Sequence, residues 1–414
     1  MRAGWQTKAL EEVCQFSNGL WKGENPPFVN VGVIRNTNFT KEGALDDSDI
    51  AYLDVEAKKF EKRRLQFGDI ILEKSGGGPK QPVGRVVLFD KTDGDFSFSN
   101  FTSALRVRDS RELDFRFLHK FLYWTYLSGV TEAMQSHSTG IRNLNGDAYK
   151  AIIVSFPPLP EQNRIVNILD ESFDSIATAK ANAEKNLQNA KALFESHLQS
   201  VFEHRGEGWV EKKLGDDNML KLVDGDRGAN YPKANEFYDE GHCLFLNTKN
   251  VRPDGFDFES TMFITAEKDR LLRKGKLERD DVVMTTRGTI GNIGHYSQDV
   301  PFDDIRINSG MLIFRPNKRL LLPSYLFEML RSEIVKEQIR NQTTGAAQPQ
   351  LPIKTLVNFT IPVPTNLEDQ RNIVNKIHAF EPETQRLESI YQQKLTALDD
   401  LKKSLLHQAF NGEL

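Results

Sequence analysis

The chain has two cysteines, Cys14 and Cys243, in 414 residues. Two thiols exclude a disulfide framework and a cysteine-rich zinc site. No apolar run approaches the ~20 residues needed to cross a bilayer, so no membrane partner is expected. The start, "MRAGWQTKALEEV", lacks the apolar core of a secretory signal, and a cytoplasmic location is expected. The G-K-[S/T] phosphate loop and the H-E-x-x-H zinc helix are both missing. The eight histidines are scattered, so no metal is expected. Charge of one sign is missing too: 54 Lys and Arg face 58 Asp and Glu, for a net −4. Any nucleic-acid contact must therefore come from local basic patches or from partner proteins.

What the chain does have is a second copy of itself. "PLPEQNRIVNIL" (158–169) matches "VPTNLEDQRNIVNKI" (363–377), aligning Gln162 with Gln370. "LFESHLQSVF" (193–202) matches "LKKSLLHQAF" (401–410) at the same spacing. "FGDIILEKSG" (67–76) matches "RDDVVMTTRG" (279–288), "HSTG" (137–140) matches "QTTG" (342–345), and Trp5 matches Trp209. The first part of each copy, 1–160 and 206–365, shows short alternating apolar runs such as "VNVGVI", "VGRVVLF" and "GMLIFR", punctuated by Gly, Asp, Asn and Pro. That is the pattern of a strand-rich globular domain. A shorter helix is expected near "DFRFLHKFLYWTYL" and "PSYLFEMLRSEIVKEQI", where apolar residues recur every third or fourth position.

The tail of each copy, 161–205 and 366–414, reads as one long helix. Ile165, Leu169, Ile176, Ala183, Ala190 and Phe194 mark the first seam; Ile373, Ile377, Phe380, Leu387, Leu398, Leu401 and Leu405 mark the second. Spacings of three and four residues form the stripe of a packed helix. Roughly 42 residues give a rod of about 60 Å. Thr365 and Glu368 are expected to cap the second rod, and Pro382 to kink or break it. Connectivity favours antiparallel pairing of the rods, with a pseudo-two-fold relation between two heads. The fold class expected is α+β.

At this point the residues resemble a known family. "LPEQNRIV", "EDQRNIV", "GLWKG…VIRNTNF" and the terminal "KKSLLHQAFNGEL" look like the specificity subunit of type I restriction-modification systems, over essentially the whole chain. The resemblance implies two target recognition domains, 1–160 and 206–365, separated by spacer helices over 161–205 and 366–414. It implies double-stranded DNA as partner, read as a bipartite, asymmetric target. It also implies docking of two modification (methyltransferase) subunits and of ATP-using restriction subunits. No cofactor is expected in this chain; S-adenosylmethionine, ATP and Mg belong to those partners. Two other readings stay open: a coiled-coil scaffold that binds protein only, and a chain with its own methyltransferase or nuclease activity.

The chemical motifs bear on that choice. "NPPF" (25–28) resembles the base-holding motif of amino-methyltransferases, but "SNGLWKGE" before it is loop-like, and no F-x-G-x-G loop accompanies it. A turn ahead of the strand "FVNVGVI" is expected instead. Glu73 and Lys74 brush a nuclease pattern, yet adjacent strand residues face opposite sides. "GTIGNIG" (288–294) reads as a tight turn. "KKFEKRR" (58–64) offers Lys58, Lys59, Arg63 and Arg64 for DNA phosphates. For base contact the candidates are Lys74, Lys80 and Arg142 in the first domain, and Arg287, Asn292, Gln348 and Gln350 in the second, since Arg suits guanine and Asn or Gln suits adenine. Arg164, Ile165, Ile168, Arg371, Ile373 and Ile377 at the rod starts are the candidates for partner docking.

Overall fold

The computed structural model describes residues 4–20, 23–78, 81–138, 141–253, 255–343 and 350–414. The chain divides into two compact units, Met1–Glu184 with Gln393–Leu414, and Lys185–Gln392.

The first unit is built on a four-stranded antiparallel sheet of β1 (Cys14–Asn18), β2 (Ile70–Glu73), β3 (Val86–Leu88) and β4 (Thr102–Val107), in the order β1-β4-β2-β3. Every residue of β2 is buried, because alternate side chains enter two different cores. Ile70 and Leu72 join one with Leu105, Phe117 and Phe156. Ile71 joins the other with Ile34, Val87 and Phe98. A three-stranded sheet adds Ala51–Glu56 and Phe28–Ile34 antiparallel and Phe96–Phe98 parallel. The pair Gln6–Ala9 and Ile153–Phe156 brings the two ends of this globular part together.

The second unit repeats the plan. β5 (Leu220–Asp224), β6 (Val282–Thr285), β7 (Ile293–His295) and β8 (Met311–Pro316) form a sheet in the order β5-β8-β6-β7. Cys243–Leu246 again has one antiparallel and one parallel neighbour, and Trp209–Lys213 pairs with Thr360–Pro364. The strand-rich α+β class expected from the sequence is the class observed. Two side-chain devices recur with it. The buried carboxylate before each central strand is gripped by one arginine, Asp69 by Arg106 at 2.6 and 2.6 Å and Asp281 by Arg315 at 2.9 and 2.7 Å. Each also accepts a backbone N–H three residues upstream, from Gln66 and Glu278, at 2.8 Å. Asn38 and Asn250 tie the next loop in the same way.

Two 45-residue helices, α1 (Leu159–Glu203) and α2 (Leu367–Asn411), contribute to both units. Each is anchored near its start by a glutamine with no exposed surface. Gln162 accepts from Asp114 N at 2.8 Å and donates to Glu112 O and Pro157 O at 2.8 and 2.7 Å. Gln370 accepts from Leu322 N at 2.8 Å and donates to Leu320 O and Pro364 O at 3.0 and 2.8 Å. Within the first unit, Arg164 donates to Leu414 O at 2.8 Å and Lys180 pairs with Asp399 at 2.7 Å, so the helices run antiparallel there. Phe410 completes that unit's core against Phe117, Phe121 and Trp124, with ring centroids 5.4, 5.4 and 5.6 Å away. In the second unit the counterpart Phe202 meets Tyr325 at 5.7 Å, and His197 lies on Phe380 at 4.3 Å.

Three local expectations need correction. The cap of α2 is Asn366, whose Oδ1 accepts from Glu368 N at 2.9 Å; Thr365 Oγ1 donates to Gly208 O instead. α2 also runs unbroken through Pro382. Packing on both sides holds it: Phe380 against His197, His378 bonded to Glu328 at 3.3 Å, and Thr384 nearly buried. These ties offset part of the ~3 kcal/mol that an interior proline costs. Finally, Leu401 is 47% exposed and Leu406 takes the buried place. Replacing Phe410 with alanine should cost the first unit about 3–5 kcal/mol. Hydrogen exchange should then rise in Phe115–Leu127 and stay unchanged in Pro323–Arg331. An equal rise in both helices contradicts this assignment.

Candidate nucleic-acid interface

The two units present the same backbone frame at the ends of β2 and β6. Lys74 N donates to Phe101 O at 3.0 Å, as Thr286 N does to Gly310 O at 2.8 Å. Leu144 N donates to Lys74 O at 2.8 Å, as Leu351 N does to Thr286 O at 3.0 Å. One residue on, Ser75 pairs with Asn143 and Arg287 with Gln350. These two bonds and this pairing recur in both units, although Ser75–Gly77 belongs to a three-stranded sheet and Arg287 makes a single bridge.

The side chains on it differ. In the first unit Ser75 Oγ donates to Asn143 Oδ1 at 2.6 Å, and Lys74 Nζ donates to Asn18 Oδ1 at 3.0 Å. Burial lowers the Lys74 ammonium pKa from its ordinary value. The Phe101 ring stands 43% exposed beside Gly76. In the second unit Thr286 is buried, Gly310 replaces the phenyl ring, and Arg287 is exposed. Among the described residues no carboxylate pairs with Arg287. Gln350 lies beside it, also exposed.

The nuclease-like carboxylates are structural. Glu73 is almost fully buried and bound by Arg85 at 2.8 and 2.9 Å and by Asn36 Nδ2 at 3.2 Å. Asp69 is held by Arg106, so neither carboxylate is open to a metal or a water nucleophile. "NPPF" sits in a bend, where Pro27 O accepts from Ala57 N at 2.9 Å before the strand begins at Phe28. "GTIGNIG" spans the hairpin turn between β6 and β7. His242, Asp269 and Asp304 converge, but Lys276 Nζ lies 2.6 Å from both carboxylates and Arg306 also binds Asp269. Those cations already supply the positive charge a metal would bring.

The remaining candidates fall as follows. Lys58 is exposed on the short helix Ala57–Glu61, and Lys59 lies 3.6 Å from Glu56. Arg63 donates to Asn18 O at 3.1 Å, which places it near Lys74 around one asparagine. Arg64 pairs with Asp95 and stacks over Phe60. Arg142 is half-buried and reaches Gln135 at 3.4 Å. Lys80 and Gln348 lie outside the described residues. Asn292 is nearly buried and its amide donates to Val251 O at 2.8 Å, so it fastens the hairpin rather than facing outward. On the long helices, Arg164 and Arg371 are exposed and pair with Glu161 and Glu368, while Ile168 is half-buried. Ile165, Ile373 and Ile377 are corrected: they fill their units' own cores and offer no surface to a partner. Sequence reasoning missed Phe101, Asn18, Asn36 and Asn143. An apolar residue just before a strand and asparagines at strand ends or in a short turn carry no signal of the tip they build.

A family model for the type I restriction modification DNA specificity domain matches residues 2–188 and 206–397. The EcoKI specificity subunit of Escherichia coli strain K12 is 23% identical over 397 residues, covering 92% of this chain and 82% of that one. The EcoBI specificity subunit of Escherichia coli is 22% identical over 346 residues, covering 78% and 72%. In solved structures, a chain from work on complex assembly and conformational transition of the type I R-M system aligns over 100% of this chain and 99% of that one, with TM-score 0.80 and 18% identity. The HsdS subunit of Thermoanaerobacter tengcongensis aligns over 100% and 98%, with TM-score 0.56 and 19% identity.

Glu73→Gln should leave Arg85 without its buried counter-charge and cost about 3–5 kcal/mol. Arg287→Ala, on the surface, should stay within about 0.5 kcal/mol of the parent. Chemical denaturation measures both; equal stability of the two variants contradicts the structural role given to Glu73.

Proposed function

The chain belongs to the type I restriction modification DNA specificity family, and from that premise we propose that each unit reads one half of a bipartite duplex target. The observation that carries this is the repeated frame with unlike tips. Two backbone hydrogen bonds at the tip recur in both units, while Lys74, Ser75 and Phe101 are exchanged for Thr286, Arg287 and Gly310. Equal frames with different side chains give two half-sites of different sequence, and hence an asymmetric target. In the second unit the exposed Arg287 guanidinium suits guanine O6 and N7, and the neighbouring Gln350 amide suits adenine. In the first unit Arg142, Ser75 and Asn143 face the first half-site. Lys58, Lys59, Arg63 and Arg64 contact phosphate and set register.

The chain does no chemistry itself in this reading. It works in the cytoplasm and positions two modification subunits, which carry S-adenosylmethionine and take the target adenine out of the stack. Restriction subunits bring ATP and Mg. The exposed Arg164 and Arg371 and the half-buried Ile168 at the helix starts are the docking candidates that remain once the buried Ile165, Ile373 and Ile377 are set aside.

Arg287→Ala and Gln350→Ala should each lower binding of the assembled complex to its target about tenfold or more, the worth of one base contact. The loss should be confined to base pairs in one half-site. Binding titrations on duplexes varied one position at a time read this directly. A uniform loss across both halves, or none, counts against base reading by these side chains.

A further inference from the structure

Beneath the tip of the first unit lies a cavity of about 210 Å³. Its lining carries the polar groups of Asn18, Lys74, Ser103 and Lys150, with the phenol of Tyr149, and Phe16 and Leu72 are among its apolar walls. The donor inventory is one-sided. Lys74 and Lys150 bring ammonium groups, Ser103 a hydroxyl and Asn18 an amide NH2, and among the described residues no carboxylate lines the space. Lys150 is held at the edge by Asp147 at 3.2 Å. Lys74 has no carboxylate partner among the described residues, and only the Asn18 carbonyl oxygen takes its ammonium, at 3.0 Å. That same oxygen accepts from Ser103 Oγ at 3.4 Å. A half-buried cation with one neutral acceptor is poorly compensated. An anion entering the cavity would supply the missing charge and take up the converging donors.

The other unit places different side chains at the corresponding row. Strand register places Met284, Leu312 and Asp224 in one row where the first unit has Leu72, Ser103 and Asn18. Met284 and Leu312 are fully buried, as is Thr286 in the place of Lys74 apart from a small fraction. Asp224 carries negative charge and pairs with Arg227 at 3.2 Å. One unit thus fills the position with apolar side chains edged by a carboxylate. The other keeps it open and lines it with cations and donors.

We propose that the cavity under Lys74 is an oxyanion site for a phosphate group, supplied either by the DNA backbone or as free phosphate. The DNA source rests on the function proposed above; the free source does not. The site gives Lys74 a different task from base contact: it holds an anion behind Ser75 and so stiffens the tip that faces the half-site.

The test uses the full chain and inorganic phosphate, with chloride at matched ionic strength as the control. Phosphate should raise Tm of the parent by mass action, and the rise should vanish in Lys74→Met and return in Lys74→Arg. Affinity for phosphate should fall at least about tenfold in Lys74→Met, as loss of a charge-assisted bond predicts. Ser103→Ala removes one donor and no charge, and should weaken the phosphate response, read as the rise above the variant's own Tm in chloride. This variant keeps the test decisive should Lys74→Met misfold. A second arm separates the sources. If the DNA backbone fills the site, phosphate competes with duplex and Lys74→Met lowers the salt slope of binding by about one. If free phosphate fills it, neither happens and the Tm response remains. Equal phosphate and chloride effects in parent and variants, with an unchanged salt slope, overturn the proposal. Absence of any sequence-dependent duplex binding by the assembled parent complex would instead overturn the DNA reading and leave the phosphate arm standing.

Discussion

Two buried glutamines hold this structure together. Gln162 and Gln370 each spend one acceptor and two donors on backbone groups of the globular part that precedes the helix. A buried amide is stabilising only when its polar atoms are satisfied, and here the partners are fixed loop and strand-end groups. The clamp therefore sets where each long helix leaves its head. The core residues then follow from the helix period: Ile165, Val166 and Leu169 enter the first unit's core, and Ile373, Val374 and Ile377 enter the second's. Phe410 and Phe202 close the same cores from the far helix ends. Removing the clamp would leave buried N–H and C=O groups unpaired, which costs more than the bonds themselves contribute.

The second constraint is the arginine grip on the carboxylate before each central strand. Asp69 with Arg106 and Asp281 with Arg315 fix the strand that ends at the tip. The grip and two backbone bonds beyond it recur in both units, while the tip residues differ. Arg287 is exposed and unpaired among the described residues, whereas Ser75 in the equivalent place bonds Asn143. A fold that separates frame from tip in this way is suited to reading two different half-sites.

The repeat was legible because identical packing demands keep the same residues at the same spacing. Gln162 with Gln370 and "FGDI" with "RDDV" align by eye, and both pairs prove to make the same bonds. The long helices were legible from their apolar period. What stayed hidden depended on neighbours distant in sequence. Asn366 rather than Thr365 caps α2 because Thr365 is drawn to Gly208. Pro382 is tolerated because tertiary contacts flank it. Asn292 looked like a reader and is a fastener, since its partner Val251 lies on another strand. The isoleucines at the helix starts looked like a docking stripe, but a stripe does not say whether its own head or a partner covers it. The cavity at Lys74 was not legible at all, because a void is set by what surrounding strands leave unfilled.

The most direct test is methylome sequencing of the host with the gene intact, deleted and restored. One bipartite methylated-adenine motif should disappear on deletion and return on restoration, while the modification subunits remain expressed. An unchanged set of methylated motifs under those conditions would contradict the assignment of sequence reading to this chain.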